Sequence, residues 1–247
     1  RDLFKNPFQV NFEGPGLLDV YPNRNSTDYI DIYGIPEAQT VFRGTFRFPG
    51  WCETLDAIKA LNLISYDKIS TKGMSYSDFT AITAKVCTCG DVKHKVAFKL
   101  GISVESHAIK AMEWLGLFDE KAMPYDEASP FDVTSDLMIA KMQLETHERD
   151  MVALLHQFVA SYPDGKKEVI SSQMLDFGSP ATDTSIARTV ALPAAIGVEM
   201  ILTGKISVKG VFRPVIPEIY NPVLDALEHM NIKMVEKYGL PYESRIK

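Results

Sequence analysis

The chain has 247 residues, a formal net charge of −6 and a hydrophobic fraction of 46%, which is ordinary for a protein that buries a core. The negative charge argues against a general nucleic-acid binder, because phosphate contacts need a basic face. No apolar run approaches the ~20 residues that span a bilayer, so we predict no membrane-spanning segment.

The first ten residues, RDLFKNPFQV, contain neither an initiator Met nor a signal-peptide core. We therefore expect a processed product or an excised piece of a longer protein. The only cysteines are Cys52, Cys87 and Cys89. This odd, low number does not indicate a disulfide framework and favours a reducing, intracellular compartment.

Short apolar runs alternate with turn residues over the first 50 positions, and the runs QVNF, LLDVY, YIDIYG and TVFRGTFRF predict strands. The clearest is Thr40 to Phe48, where Arg43, Thr45 and Arg47 share one face by the period of two. The aromatic side chains of the opposite face are expected to pack on the core: Phe42, Phe46 and Phe48.

From Trp51 to about Glu145 the apolar residues recur at helical spacing. Four helices are predicted within WCETLDAIKALNLI, SYSDFTAITAKVC, SVESHAIKAMEWLGLFDE and SPFDVTSDLMIAKMQLE. Ser103 is the expected N-cap of the third, and Gly116 lies near its end. The region indicates a helical insertion within a β-containing domain.

Beyond this region, a hairpin is predicted around the turn Pro163-Asp164-Gly165. TDTSIARTVALPAAIGVEMILTGKI predicts a helix bent near Pro193 and stopped at Gly204. PEIYNPVLDALEHMNI predicts a last helix, with Pro222 in its first turn. The predicted class is α+β.

Two groups of potential metal or acid–base residues are less persuasive. Cys87-Thr88-Cys89 and His94 lack the second ligand pair of a structural zinc site, so we expect no metal there and place both thiols, buried, at a helix end or in a loop. His147 lies in a charged stretch that predicts a solvated junction, and the face of His156 is undetermined. No glycine-rich nucleotide fingerprint is present.

The arginines near the N-terminus carry the strongest functional signal. Arg24 lies in the turn YPNRNST, while Arg43, Thr45 and Arg47 share a strand face beside Gly44. They are either solvated arginines on a sheet edge or a site for a small ligand with several carboxylates, which a guanidinium fork matches.

At these residues the chain resembles the saccharopine dehydrogenase (saccharopine reductase-like) family of lysine metabolism. The resemblance rests on motifs that run in family order through nearly the whole chain: YPNRNST, IYGIPEA, TVFRGTFR, EWLGL, ERDMV, ARTVALPA and PEIYNP. Asn25 stands where the family usually has Asp, and Phe46 where Leu is usual.

The resemblance implies a three-part organisation without the family's N-terminal Rossmann domain. Residues 1–50 and 146–180 would form a mixed-sheet substrate-binding and dimerisation domain, and residues 51–145 a helical insertion. Residues 181–247 would form C-terminal helices that pack on the missing domain. The family pattern places saccharopine, which has three carboxylates and two amines, on Arg24 and on Thr45, Phe46 and Arg47.

The implied reaction is NAD- or NADP-dependent oxidation of saccharopine to glutamate and 2-aminoadipate 6-semialdehyde. The cofactor would bind the full-length enzyme and not this chain alone, which is expected to be inactive. The catalytic proton-transfer residue is unknown. A homodimer is implied, and the compartment is cytoplasmic or mitochondrial. The alternatives are a carboxynorspermidine-type dehydrogenase and a non-catalytic dimerisation or regulatory module.

Overall fold

The computed structural model describes residues 2–246, and it confirms the α+β class. The chain divides into two compact units: the first contains the chain up to Arg24 together with Phe42–Gln143, and the second contains Asn25–Val41 and the chain from Leu144 onward. The three-part division expected at residues 50, 145 and 180 stays a prediction.

A three-stranded antiparallel sheet of order β1-β2-β3 begins the first unit, formed by β1 (Phe8–Phe12), β2 (Gly16–Pro22) and β3 (Gly44–Arg47). The strands predicted in QVNF and LLDVY are thus confirmed. The strand predicted from Thr40 is shorter, because Pro22 and Gly44 form the last ladder pair. Phe42 and Phe48 are exposed, so only Phe46 fulfils the predicted aromatic packing.

Five helices of the first unit surround one buried apolar cluster that includes Ile58, Phe79 and Met112. They are α2 (Trp51–Ala60), α3 (Tyr76–Thr83), α4 (Val92–Leu100), α5 (His107–Leu115) and α6 (Pro130–Met142), numbered after the short α1 (Tyr29–Tyr33) of the second unit. A two-residue ladder joins β4 (Ile69–Ser70) to β5 (Glu127–Ala128). The predicted helical character of this region is confirmed.

Two details of this region differ from the expectation. Ser106, and not Ser103, caps α5, because the Ser106 hydroxyl accepts from the backbone N–H of Ile109. Cys87 and Cys89 are exposed and joined by a disulfide, where buried free thiols were expected. They lie in the loop between α3 and α4, where Val86 packs against the apolar cluster and both cysteines are exposed.

Helix α1 occupies YIDIYG, which was predicted as a strand. The alternation of aromatic and acidic residues also fits one helical turn, in which Tyr29 and Tyr33 stack with ring centroids 5.4 Å apart. Asn25 accepts from the backbone N–H of Thr27 and so forms the turn before the helix, and Gly34 ends it in the left-handed conformation.

The second unit contains the predicted hairpin, formed by β6 (Met151–Ser161) and β7 (Lys167–Phe177) in register from Met151–Phe177 to Ser161–Lys167. A third strand, β8 (Val235–Leu240), pairs antiparallel with β7 and was not predicted. The order β6-β7-β8 leaves β6 at an edge.

The second unit also contains α7 (Ser185–Leu202) and α8 (Pro217–His229), which pack through Ile196, Met200 and Leu227 against Met174 of β7. Pro217 takes the first-turn position expected for Pro222, which lies inside α8. Helix α7 is long and apolar enough to cross a membrane by length and composition, and 17% of its residues are buried. It is therefore an exception to the statement that no apolar run approaches a membrane-spanning length.

Candidate functional site

Two of the four predicted binding residues, Thr45 and Arg47, lie on the polar face of the β2–β3 ladder. The register places Tyr21 opposite Thr45 and Asp19 opposite Arg47, so these four side chains share one face of the sheet. Beyond the last ladder pair, the backbone N–H of Asn23 donates to the carbonyl of Arg43 at 2.9 Å. This bond extends the pairing by one position, to Arg43 on one strand and to the residue before Arg24 on the other.

Arg24 leaves this ladder in an unusual conformation. Its φ is 61°, which is the left-handed region, and its side chain is exposed. Among the ion pairs formed within residues 2–246, none involves Arg24 or Arg47. The Asn23–Arg43 and Asp19–Arg47 pairs are four positions apart, so at a strand rise of ~3.3 Å per residue Arg47 lies about 13 Å along the ladder from the end that Arg24 follows.

Thr45 lies between the two arginines, and its hydroxyl is fixed by a neighbour. The Asn23 side-chain amide donates to Thr45 Oγ1 at 2.7 Å. Since a hydroxyl has one proton to donate, this arrangement leaves the Thr45 proton available to an acceptor on the polar face.

Arg47 lies next to a buried carboxylate. Asp19 is 6% exposed and accepts from Gln9 Nε2 at 3.0 Å and from the Gly50 N–H at 3.4 Å. The guanidinium of Arg47 donates to the carbonyl of Phe46 at 2.7 Å and lies 5.7 Å from the ring centre of Trp51. Asp19 therefore places a negative charge across the ladder from Arg47, whose guanidinium lies over the Trp51 ring.

The pKa of the Cys52 thiol is affected by both Asp19 and Arg47. Burial raises the pKa of the Cys52 thiol above its usual value, the Asp19 carboxylate raises it further, and the Arg47 guanidinium lowers it. The thiol is completely buried. Its environment favours a neutral, unreactive sulfur, so it serves packing below the sheet.

The Phe46 side chain lies on the opposite face from Thr45 and Arg47. It is paired with Val20 and makes an edge-to-face contact with Phe12, with ring centroids 5.7 Å apart. Because Asn23 and Arg43 form a hydrogen-bonded pair, the alternation of an antiparallel ladder turns the backbone N–H and C=O of Phe46 towards the open edge of β3.

The turn at Gly50 does not fit a phosphate group of a dinucleotide. The strand–turn–helix passage from β3 through Gly50 to α2 has the outline of a phosphate cradle, yet the strand pairs antiparallel. The ring of His107 also fills the space above Gly50, where an added Cβ would lie 2.2 Å from His107 Cδ2.

Three supporting residues were missed by sequence reasoning. Asn23 orients Thr45, Asp19 lies across the ladder from Arg47, and the Trp51 ring contacts the Arg47 guanidinium. The period-two spacing of Asp19, Tyr21 and Asn23 was the available signal, because it places polar side chains on one face of a strand whose other residues are apolar.

The remaining candidates do not form a second site of this kind. His147 is exposed and pairs with Glu145 at 3.4 Å, which confirms the solvated junction, and His156 is exposed on β6. Within residues 2–246, no three His, Cys, Asp or Glu side chains come together as metal ligands.

Comparison with known proteins gives a single family. The family model described as "Saccharopine dehydrogenase C-terminal domain" matches residues 1–232. This match covers the polar ladder and the helices of both units.

Relatives and a solved structure agree with this match. The chain is 34% identical to Saccharomyces cerevisiae "Saccharopine dehydrogenase [NADP(+), L-glutamate-forming]", with 92% of this chain and 51% of that protein covered. It is 33% identical to Bos taurus "Alpha-aminoadipic semialdehyde synthase, mitochondrial", over 87% of this chain and 24% of that protein. The structure of an apo, histidine-tagged saccharopine dehydrogenase (L-Glu forming) from S. cerevisiae aligns with a TM-score of 0.84 and 28% identity, covering 96% of this chain and 55% of that one. The chain thus spans about half the length of the yeast protein and a quarter of the bovine one.

Proposed function

Because the chain belongs to the saccharopine dehydrogenase C-terminal domain family, we propose that it is the substrate-binding part of an enzyme that oxidises saccharopine. The observation that carries the proposal is the juxtaposition of Thr45 and Arg47 on the polar face of a ladder whose end holds Arg24. In that enzyme, the secondary amine of saccharopine is oxidised, and hydrolysis of the imine gives glutamate and 2-aminoadipate 6-semialdehyde.

The two arginines bind the substrate carboxylates and set its orientation along the ladder. A guanidinium presents two parallel N–H donors to a carboxylate, which fixes the angle as well as the position of the ligand. The spacing of Arg24 and Arg47 lets each take a different carboxylate of the elongated tricarboxylate. Arg43, which lies on the same face next to Gly44, adds positive charge between them.

Thr45 donates its hydroxyl proton to a substrate carboxylate. The Asn23 amide occupies an acceptor position of Thr45 Oγ1, so the proton points away from Asn23 and towards the ligand. The Phe46 side chain does not reach this face, so its contribution comes from its backbone groups at the open edge of β3. Orientation of the reacting amine is the work of these residues, and no proton-transfer role falls to them.

The hydride acceptor, NAD or NADP, would be held outside this chain. The crowding of Gly50 by His107 and the antiparallel pairing of β3 support this assignment. The printed name of the yeast relative specifies NADP(+), which favours that cofactor for the complete enzyme.

The complete enzyme is proposed to be an intracellular homodimer. The edge strand β6 supports self-association, because its eleven residues include exposed Leu154 and Phe158. The bovine relative's printed name favours a mitochondrial setting over a cytoplasmic one.

Steady-state kinetics of the complete enzyme, with saccharopine varied at saturating cofactor, test the site. Arg24→Lys keeps the charge and loses the fork, so it should raise the KM for saccharopine while leaving that for the dinucleotide unchanged. Arg47→Ala should raise it most, by about 10- to 100-fold, for the loss of a charge-assisted bond of ~1.5–3 kcal/mol. Thr45→Ala should raise it about 2- to 10-fold, for a neutral bond of ~0.5–1.5 kcal/mol.

Arg245→Lys is the matched control, because Arg245 lies outside the family match and stacks on Tyr242. Unchanged kinetics in the Arg24 and Arg47 variants would mean that these arginines are solvated surface groups and that the site lies elsewhere. Turnover of carboxynorspermidine in preference to saccharopine would overturn the substrate assignment, and absence of turnover of either would favour a non-catalytic module.

A further inference from the structure

The loop between α3 and α4 brings two exposed cysteines together outside the proposed substrate site. Cys87 and Cys89 are joined by a disulfide, with Cα atoms 5.4 Å apart. Both residues are exposed to solvent, unlike Cys52. The sulfurs are therefore reachable by small molecules from outside the fold.

A lysine lies directly on this pair. Lys95 Nζ is 3.5 Å from Cys89 Sγ and 3.4 Å from the carbonyl of Cys87, and it also donates to the carbonyl of Cys89. An adjacent ammonium stabilises a thiolate over a thiol, and the thiolate is the form that attacks a disulfide. Of the two sulfurs, that of Cys89 is the one placed to react first.

An open recess of about 960 Å³ adjoins the pair, lined by Cys87 and the next turns of α4. Its charged lining comprises three lysines, Lys85, Lys95 and Lys99, against a single carboxylate from Asp91, which is paired with His94. The rest of the lining is mostly apolar and includes Val86, Phe98 and Ile102, so the recess suits a small ligand that combines apolar surface with anionic groups.

We propose that Cys87 and Cys89 form a reversible thiol–disulfide exchange site for anionic low-molecular-weight disulfides, of which oxidised glutathione is the probe. The Cys89 thiolate attacks one sulfur of the small disulfide, which forms a mixed disulfide and releases one thiolate. Cys87 then attacks the sulfur of Cys89, closing the Cys87–Cys89 bond and releasing the second thiolate. The protein loses two electrons and two protons, and the small disulfide becomes two thiols; reduced glutathione in excess reverses the sequence.

The test equilibrates the chain in glutathione buffers from reduced to oxidised, followed by alkylation without denaturant and mass measurement of the intact protein. We expect two alkylated cysteines at the reduced end and none at the oxidised end, with the oxidised protein two hydrogens lighter. Cys87→Ser should stop at a stable glutathione adduct on Cys89, whereas Cys89→Ser, which lacks the attacking thiol, should form an adduct more slowly. Glutathione adducts that never close into the Cys87–Cys89 bond, or two free thiols in excess oxidised glutathione, would overturn the proposal.

Lysine variants test the activating group. Lys95→Met should slow the reaction of the reduced protein with oxidised glutathione by about two- to threefold, because a higher thiol pKa removes thiolate but makes the remaining thiolate more nucleophilic. Lys99→Met removes the same charge from the recess wall and should have a smaller effect. Equal rates in the two variants would refute the specific role of Lys95. With the cationic disulfide cystamine, Lys95→Met should slow the reaction less than it does with oxidised glutathione. Equal slowing with both disulfides would refute the preference for anions.

Discussion

Replacing Gly178 with alanine should destabilise the second unit, because the added methyl group has no space. Gly178 is buried, and a Cβ at this position would lie 2.2 Å from Asp150 Oδ1, 2.7 Å from the Ser185 nitrogen and 2.9 Å from the Asp183 carbonyl oxygen. Two of these neighbours are backbone atoms, which move at high cost. Asp150 would have to shift by about 1 Å to restore ordinary contact.

Asp150 matters because it holds the first turn of α7. Its carboxylate accepts from the N–H groups of Ser185 at 2.6 Å and Ile186 at 2.8 Å. Hydrogen bonds to a charged group contribute about 1.5–3 kcal/mol each, and solvent can replace part of a helix cap, whose loss costs ~1 kcal/mol. With the backbone clash added, we expect the free energy of unfolding to fall by about 2–4 kcal/mol.

Urea unfolding followed by circular dichroism measures this loss, and hydrogen exchange of peptides from the start of α7 locates it. Gly197→Ala is the control, because Gly197 lies inside α7 with nothing within 4 Å of an added Cβ. That substitution should stabilise the protein by ~0.5–1 kcal/mol. A Gly178→Ala variant within about 0.5 kcal/mol of the unmodified chain would refute the reasoning from this contact.

Three further outcomes are expected. Asn23→Ala should raise the KM for saccharopine about 2- to 10-fold in the complete enzyme, through the loss of Thr45 orientation, and should have no further effect in a Thr45→Ala background. The hydrogen bond to Asp136 raises the pKa of Tyr125 from 10.0 to about 12. The stabilisation by this bond is therefore complete below pH 10 and is lost as the pH rises to 12. Tyr125→Phe should reduce the loss of stability between pH 10 and pH 12. Cys52 should resist a thiol reagent at neutral pH until urea unfolds the chain, and labelling of the folded protein would contradict its burial.

The parts of the fold that the sequence predicted are those set by short-range patterns. The hairpin follows from two β-rich runs around Pro163-Asp164-Gly165, and α3 and α6 from apolar residues at helical spacing. The structure adds a capping box at the start of each helix, in which Ser75 and Ser129 bond reciprocally with Asp78 and Asp132. In these cases the residues that specify the element are neighbours in the chain.

The elements that escaped prediction depend on distant partners or balanced patterns. Strand β8 is mostly exposed and gains its strand conformation from β7, which lies more than 60 positions earlier. Helix α4 had local signals that went unused, since Asp91 caps it and Gly101 ends it. The stretch from Tyr29 to Tyr33 was balanced between strand and helix, and one stacking contact accompanies the helical outcome.

The candidate site shows the same division. Residue types and period two placed Thr45 and Arg47 on one face, but they could not show that Asn23 reaches across the ladder or that Asp19 is buried opposite Arg47. Asp150 follows the charged stretch of His147, and nothing in its sequence neighbourhood indicates the helix start 35 positions later that it holds.

The left-handed backbone of Arg24 has opposite consequences for stability and for the proposed substrate binding. For a side-chain-bearing residue this conformation costs roughly 1–2 kcal/mol, whereas glycine adopts it freely. A glycine at this position would therefore be favoured in any screen that scores abundance or heat resistance and disfavoured in one that scores lysine metabolism. If Arg24 binds saccharopine as proposed, the Arg24→Gly variant should gain in the first score and lose in the second.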